Sequence, residues 1–270
     1  MTLQALHAHA LERACSAFEA NQLFSFATGS SAHDDLSAQA IPQMQTKLER
    51  ALCLREQGHP LQYILGEWEF YGLPFRLGPG VLIPRQDTET LVDLALTLLR
   101  ESENPNPEVL DLGSGSGCIA IAVAKNAPHA QLTALEASSP AYHYLQTNIA
   151  LNKVQVTPVL GDLREYRHSK PADLIISNPP YISRPELAGL QAEVAHEPLL
   201  ALDGGQDGLD FYRAIARRYK DQLAPSGQLL LEVGAGQHTQ VEGILASFGF
   251  VSIAHHKDLT GTVRVVQAGV

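Results

Sequence analysis

A chain of 270 residues, 45% of them apolar and 18% charged, can bury a sizeable core and is not a disordered segment. Its net charge of −10 argues against tight binding to a nucleic-acid backbone, which calls for a basic face. Cys15, Cys53 and Cys118 are odd in number and far apart, so they form neither a disulfide framework nor a zinc cluster. There is no signal-peptide start and no run of about 18 apolar residues, so the expectation is a cytoplasmic protein with no membrane contact.

Residues 1–72 read as a small helical domain. Leu3, Leu6, Ala10, Leu11, Ala14 and Phe18 recur at helical spacing, as do Met44, Leu48, Ala51 and Leu52, with Gly29-Ser30-Ser31 between the two runs. Four basic residues against eight acidic ones suit a protein-facing module better than a DNA-facing one. Aromatics set around Gly and Pro over residues 61–84 predict a hairpin between domains, with 73–85 as the linker. From residue 86 to 270 strand and helix patterns alternate, starting with a helix over 87–100 and the strand Val109–Leu112. The expected fold is α/β, a mostly parallel seven-stranded sheet with helices on both faces.

Two stretches carry the chemistry. Asp111-Leu112-Gly113-Ser114-Gly115-Ser116-Gly117 joins the first strand to a helix, and its glycines let a ligand approach backbone N–H groups. Glu136 ends the next strand, 23 residues after Gly113, where an acid is placed to bond ribose hydroxyls. The Gly-x-Gly-x-Gly spacing makes a nicotinamide dinucleotide the second choice. Then Asn178-Pro179-Pro180-Tyr181 follows the apolar strand 172–177. The prolines stiffen the corner, so an Asn side chain, carbonyls and an aromatic ring are held at the carboxyl end of the sheet. Such a corner can grip a planar NH2 group, as methyl transfer to an amide or exocyclic amine requires. The plainer reading is a rigid loop after a core strand, and the glycine loop upstream weighs against it.

Together these features resemble the class I S-adenosylmethionine-dependent methyltransferases acting on planar nitrogen. Within them, Pro60–Gly66, Val81–Arg85 with Thr88-Glu89, Asp111–Gly117, Ser177–Ile182, Glu197-Pro198 and Gly204-Gly205-x-Asp207-Gly208-Leu209 are similar to the HemK/PrmC family. So are Glu232-x-Gly234-x-x-Gln237 and Asp258-Leu259-x-Gly261-x-x-Arg264, and the resemblance runs from about residue 60 to 266. That family methylates the side-chain amide nitrogen (N5) of the glutamine in the Gly-Gly-Gln motif of peptide chain release factors.

The resemblance implies the following roles. Gly113, Ser114, Gly115, Ser116 and Gly117 cradle S-adenosyl-L-methionine, Glu136 holds its ribose, and Asp162 and Leu163 flank its adenine, with Asn178 beside it. Asn178 and the Pro179 carbonyl accept the glutamine amide hydrogens, Tyr181 packs on the amide plane, and Pro180, Arg85, Thr88 and Glu89 complete the substrate side. It implies no metal, a release factor as partner, a monomer, and residues 1–72 as the docking module. The chain departs from the family at Gln86-Asp87, where Pro-Glu is usual, at Glu136, where Asp is usual, and at Ser138–Tyr142. The rivals are a ribosomal-protein glutamine methyltransferase and a DNA adenine N6-methyltransferase, which shares Asn-Pro-Pro-Tyr but needs a basic recognition region.

Gly204-Gly205-Gln206 spells the release-factor motif but is read as the turn before a helix. Glu193, His196 and Glu197 lack a metal-ligand spacing, and Cys118 is read as a small packed thiol.

Overall fold

The computed structural model describes all 270 residues, which form two compact units: Met1–Trp68 with Gln191–His196, and Glu69–Leu190 with Glu197–Val270.

The first unit is helical: α1 (Leu3–Arg13), α2 (Ala17–Thr28), α3 (Pro42–Glu56) and the single turn α4 (Leu61–Leu65). The run from Leu3 to Phe18 is two helices, because Ser16 turns extended and caps α2 by accepting the N–H of Glu19. Gly29, at φ +74, ends α2 in the left-handed region. Leu6, Leu23, Phe24, Leu48 and Leu52 are the fully buried centre of this unit. Into it comes the segment Gln191–His196 from far along the chain. The guanidinium of Arg55 donates to Glu19 at 2.9 Å and to Glu193 at 3.0 Å, and the rings of His59 and His196 stack 4.2 Å apart.

A hairpin of β1 (Glu67–Phe70) and β2 (Leu73–Arg76) carries the chain onward. It turns through Tyr71 (φ +54) and Gly72 (φ +70), both left-handed, the geometry that matches strand twist in a two-residue loop. The hairpin thus lies at 67–76, earlier than the 73–85 linker expected. The apolar run 61–65 is a helical turn, closed by left-handed Gly66 at φ +75.

The second unit then runs α5 (Glu89–Glu101), β3 (Glu108–Leu112), α6 (Cys118–Asn126), β4 (Gln131–Glu136), α7 (Ser139–Asn152), β5 (Val156–Leu160), β6 (Ala172–Ser177) and α8 (Arg184–Leu187). It closes with α9 (Asp210–Tyr219), β7 (Leu223–Glu232), α10 (His238–Ser247), β8 (Val251–Lys257) and β9 (Val263–Gly269). The seven strands order as β5-β4-β3-β6-β7-β9-β8, parallel except for β9, which runs antiparallel to β7 and β8. Leu110, Ile175, Leu229 and Leu231 are wholly buried, as expected of parallel strands covered on both faces. β3 and β6 are neighbours although β4 and β5 lie between them in sequence. The strand order reverses there, and a crevice opens at the carboxyl ends of such strands.

Two buried asparagines of α7 anchor the hairpin. Asn148 accepts the N–H of Arg76 at 2.7 Å and donates to the Arg76 and Ser116 carbonyls at 3.1 and 2.9 Å, while Asn152 donates to the Pro74 carbonyl at 2.9 Å. Asn148 thereby ties β2 to the glycine loop. Replacing it with Leu strips three hydrogen bonds at a site of 0% exposure and is expected to destabilise the protein by about 2–4 kcal/mol, read as a lower midpoint in urea unfolding.

Candidate active site

The site is built at the ends of β3, β4 and β6. After Leu112 the chain turns through Gly113 (φ +73) and Gly115 (φ +55), left-handed conformations that strain any side chain. A Cβ at either position would meet nothing within 4 Å, and both residues line one cavity, so these two glycines leave open the room a ligand needs. Gly117 serves packing instead, since a Cβ there would come within 2.5 Å of Leu145. The N–H groups of Gly113 and Ser114 both donate to the Leu135 carbonyl, at 2.8 and 2.9 Å, which fixes the loop to the end of β4.

Glu136 braces the same loop. One carboxyl oxygen accepts the Gly115 N–H at 2.8 Å and the other the Ser138 N–H at 2.7 Å. Burial pushes its pKa up, and these backbone donors pull against that. Further round the cavity, Asp162 is clamped by Arg164, with contacts of 3.0 and 2.7 Å, and held below the usual carboxylate range by that guanidinium. Leu163 is buried beside it. Cys118, also on the wall, has its thiol pushed up to about 12 by burial, so it stays a neutral packed thiol.

At the end of β6, the Ser177 hydroxyl donates to the Leu112 carbonyl at 2.7 Å and sets the Asn-Pro-Pro-Tyr corner against the glycine loop. Asn178 and Pro180 line the cavity; Pro179 is buried, and Tyr181 packs against the core. The corner is wedged from behind. Gln237 donates to the Tyr181 carbonyl at 2.9 Å and accepts the Gly234 N–H at 3.0 Å. Any Cβ at Gly204 would meet Tyr181 Cα and the Pro180 carbonyl oxygen at 2.8 and 2.9 Å, and one at Gly208 the Tyr181 carbonyl oxygen at 2.4 Å. Gly204-Gly205-Gln206 is therefore part of the turn before α9, as its sequence context suggested, and its glycines let the backbone press on the corner.

The segment before α5 closes the front. The Arg85 guanidinium pairs with buried Glu197, whose other oxygen accepts the Ile83 N–H at 3.0 Å. Asp87, one of the departures from the family pattern, pairs with Arg264 at 2.7 Å. The segment is thus tied down without the usual proline. Glu89 stands apart from the cavity: its carboxylate accepts the N–H of Tyr71 at 3.0 Å, so it holds the hairpin. Glu193 and Glu197 each have an arginine partner, Arg55 and Arg85.

Arg85, Thr88, Gly113, Ser114, Gly115, Ser116, Glu136, Asp162, Leu163, Asn178 and Pro180 come together around one cavity; Gly117, Pro179, Tyr181 and Glu89 do not line it. The sequence reading missed Leu82, Leu200, Ala201 and Phe211, an apolar rim with no spacing signal of its own. Leu199-Leu200, 61% and 54% exposed after Glu197-Pro198, was the available cue.

Three carboxyls have buried oxygens without a hydrogen-bond partner: both of Asp111 and one each of Glu19 and Glu232. Burial lifts Asp111 from 3.8 to about 7 and Glu232 from 4.5 to about 7. An acid whose folded-state pKa is raised holds more protons folded than unfolded, so its contribution to stability falls as pH climbs from the carboxylate range to about 7. In the absence of ligand, the melting temperature is expected to be lower at about pH 7.5 than at about pH 5.5, and Asp111→Asn to flatten that slope. A profile that rises over this window would contradict it. Asp258, held down to about 2 chiefly by the Thr260 hydroxyl, acts only at lower pH.

An open glycine cradle, a carboxylate at the next strand end and an Asn-Pro-Pro-Tyr corner on a seven-stranded sheet with a reversed last strand define a class I S-adenosylmethionine-dependent methyltransferase. The Methyltransferase small domain family matches residues 88–197. The chain is 46% identical over 213 residues to the Release factor glutamine methyltransferase of Geobacter sulfurreducens, across 78% of this chain and 74% of that one. It is 39% identical over 234 residues to the protein of that name from Thermodesulfovibrio yellowstonii, across 86% and 82%. The chain belongs to the release factor glutamine methyltransferase family. Its fold is similar to a methyltransferase from Pyrococcus furiosus, with TM-score 0.51 and 16% identity over 85% of this chain and 98% of that one. It is also similar to the hMettl16 catalytic domain in complex with MAT2A 3′UTR hairpin 1, with TM-score 0.60 and 12% identity over 94% and 90%.

Proposed function

We propose that this enzyme methylates the side-chain amide nitrogen of the glutamine in the Gly-Gly-Gln motif of peptide chain release factors. The observation that carries the reading is that the Asn178 corner opens into the same cavity as the glycine cradle and Glu136. The relatives' names supply the substrate.

S-adenosylmethionine supplies a methyl group already activated on a sulfonium sulfur. The chain's own work is alignment. An amide nitrogen is a poor nucleophile, since its lone pair is delocalised into the carbonyl. Asn178 and the Pro179 carbonyl accept its two N–H bonds, point the nitrogen along the line of transfer and stabilise the positive charge that grows on it. Glu136 and the loop from Gly113 to Ser116 would hold the cofactor and Asp162 and Leu163 would flank its adenine, while the Arg85–Glu197 pair closes the front of the cavity. The proton leaves to water after transfer, so no strong base is needed.

The test is mass spectrometry of a release factor incubated with the protein and S-adenosylmethionine. One added methyl on the Gly-Gly-Gln glutamine is the expected product; its absence with cofactor bound would overturn the reading. The chain's charge of −10 disfavours a DNA adenine substrate. The enzyme acts as a cytoplasmic monomer in this reading, with its three cysteines free, as a reducing compartment allows. No helix is long and apolar enough to cross a membrane. Residues 1–72, most of them in the helical unit that runs to Trp68, dock the release factor. A free Gly-Gly-Gln peptide is accordingly expected to have a kcat/KM at least about 100-fold below that of the whole factor, through loss of docking contacts. Equal rates would remove the docking role.

A further inference from the structure

Glu232 ends β7 with its side chain buried at 3% exposure, one residue past the Ser177–Leu231 pairing that aligns β6 with β7. It is therefore the register neighbour of Asn178. The Asn178 side-chain NH2 donates to the Thr88 hydroxyl oxygen at 3.3 Å, which leaves the Thr88 proton free to point elsewhere. Burial lifts the Glu232 pKa, and the nearby Thr88 hydroxyl, Arg264 and Asn178 amide pull it back by favouring the charged form. One Glu232 oxygen remains buried without a partner. Arg264, Asp87, Tyr181 and Tyr212 complete its surroundings, and the Tyr212 hydroxyl is committed to the Glu232 main-chain carbonyl at 2.9 Å.

The oxygen and nitrogen of an asparagine amide are nearly the same size, so shape alone does not decide which faces outward. What stands behind decides it. The methyl-transfer reading, on which this inference rests, needs the oxygen outward, because the substrate amide offers only N–H bonds. We propose that Glu232 and Thr88 are positioning residues that form an acceptor wall behind Asn178, turning its NH2 inward and its oxygen to the substrate. When ionised, the Glu232 carboxyl also polarises the Asn178 amide, making its oxygen a better acceptor as positive charge develops on the substrate nitrogen. No residue of this pair touches the reacting atoms.

Two substitutions remove the wall while keeping its volume. Glu232→Gln offers an NH2 as readily as an oxygen, and Thr88→Val removes the hydroxyl. In single-turnover and steady-state assays with a release factor, each is expected to lower kcat roughly 10- to 100-fold. KM for the factor, Kd for S-adenosylmethionine and melting temperature should stay within about 2-fold or a few degrees of wild type. The double variant should be no slower than the worse single one, because both act through Asn178. Thr88→Ser, which keeps the hydroxyl, should restore most of kcat. The inference is overturned if kcat is unchanged in either folded variant, if the two losses multiply, or if Thr88→Ser is as slow as Thr88→Val. If Glu232→Gln does not fold, the Thr88 pair decides alone. A wild-type enzyme that leaves the factor unmodified sinks the methylation reading itself, a different result from altered ratios among the variants.

Discussion

Asn178→Ala is expected to lower kcat for release-factor methylation by about 10²–10³-fold, the usual cost of losing one oriented polar group that meets charge developing in a transition state. Alanine at 178 keeps the corner, because the forces that shape it come from elsewhere: Ser177 on the Leu112 carbonyl, Gln237 on the Tyr181 carbonyl, and the close backbone approach at Gly204 and Gly208. The fall should therefore sit in kcat, with KM for the factor changed less than about 10-fold, since ground-state docking draws on other surfaces. Asn178→Asp should not rescue it. A carboxyl there would face Glu232 across one register step and has no NH2 for the Thr88 oxygen. A variant with near wild-type kcat would mean that the corner is a rigid turn and nothing more.

Gly115→Val should act on the other half of the reaction, raising Kd for S-adenosylmethionine by at least about 100-fold. Two costs add. At φ +55 a β-branched residue is strained by about 1–3 kcal/mol, so the loop flattens and the Gly115 N–H leaves the Glu136 carboxyl. Whatever side chain remains stands in space that the structure leaves open on the cavity wall. Calorimetric titration of the variant with cofactor reads the loss. A Kd within about 3-fold of wild type would place the cofactor elsewhere than on this loop. Gly117→Ala gives a contrasting result: its Cβ drives into Leu145, so it lowers stability first.

The legible parts of this chain were those written in consecutive residues. A glycine loop after an apolar strand, an acid at the next strand end and a proline-locked corner each encode their geometry within a few positions, and the structure brings them to one cavity. Parts that depend on distant partners were not legible. The Leu61–Leu65 run looked like strand, and only Gly66 and packing in the helical unit make it a turn of helix. Glu232 reads as any strand-end acid until β6 and β7 are in register. Glu89 reads as a site residue because Arg85 and Thr88 precede it, yet helix geometry turns it to the Tyr71 amide.

The segment Gln191–His196 has a consequence for how this protein can be taken apart. The chain passes between the two units three times, after Trp68, after Leu190 and after His196. A gene cut at residue 68 does not yield a clean catalytic half. It strips Glu193 of Arg55 and His196 of His59, and it leaves six residues next to Glu197 with nothing to hold them. The helical region is thus not a cassette joined end to end. Chimeras that trade it between relatives should work only when residues 191–196 travel with it.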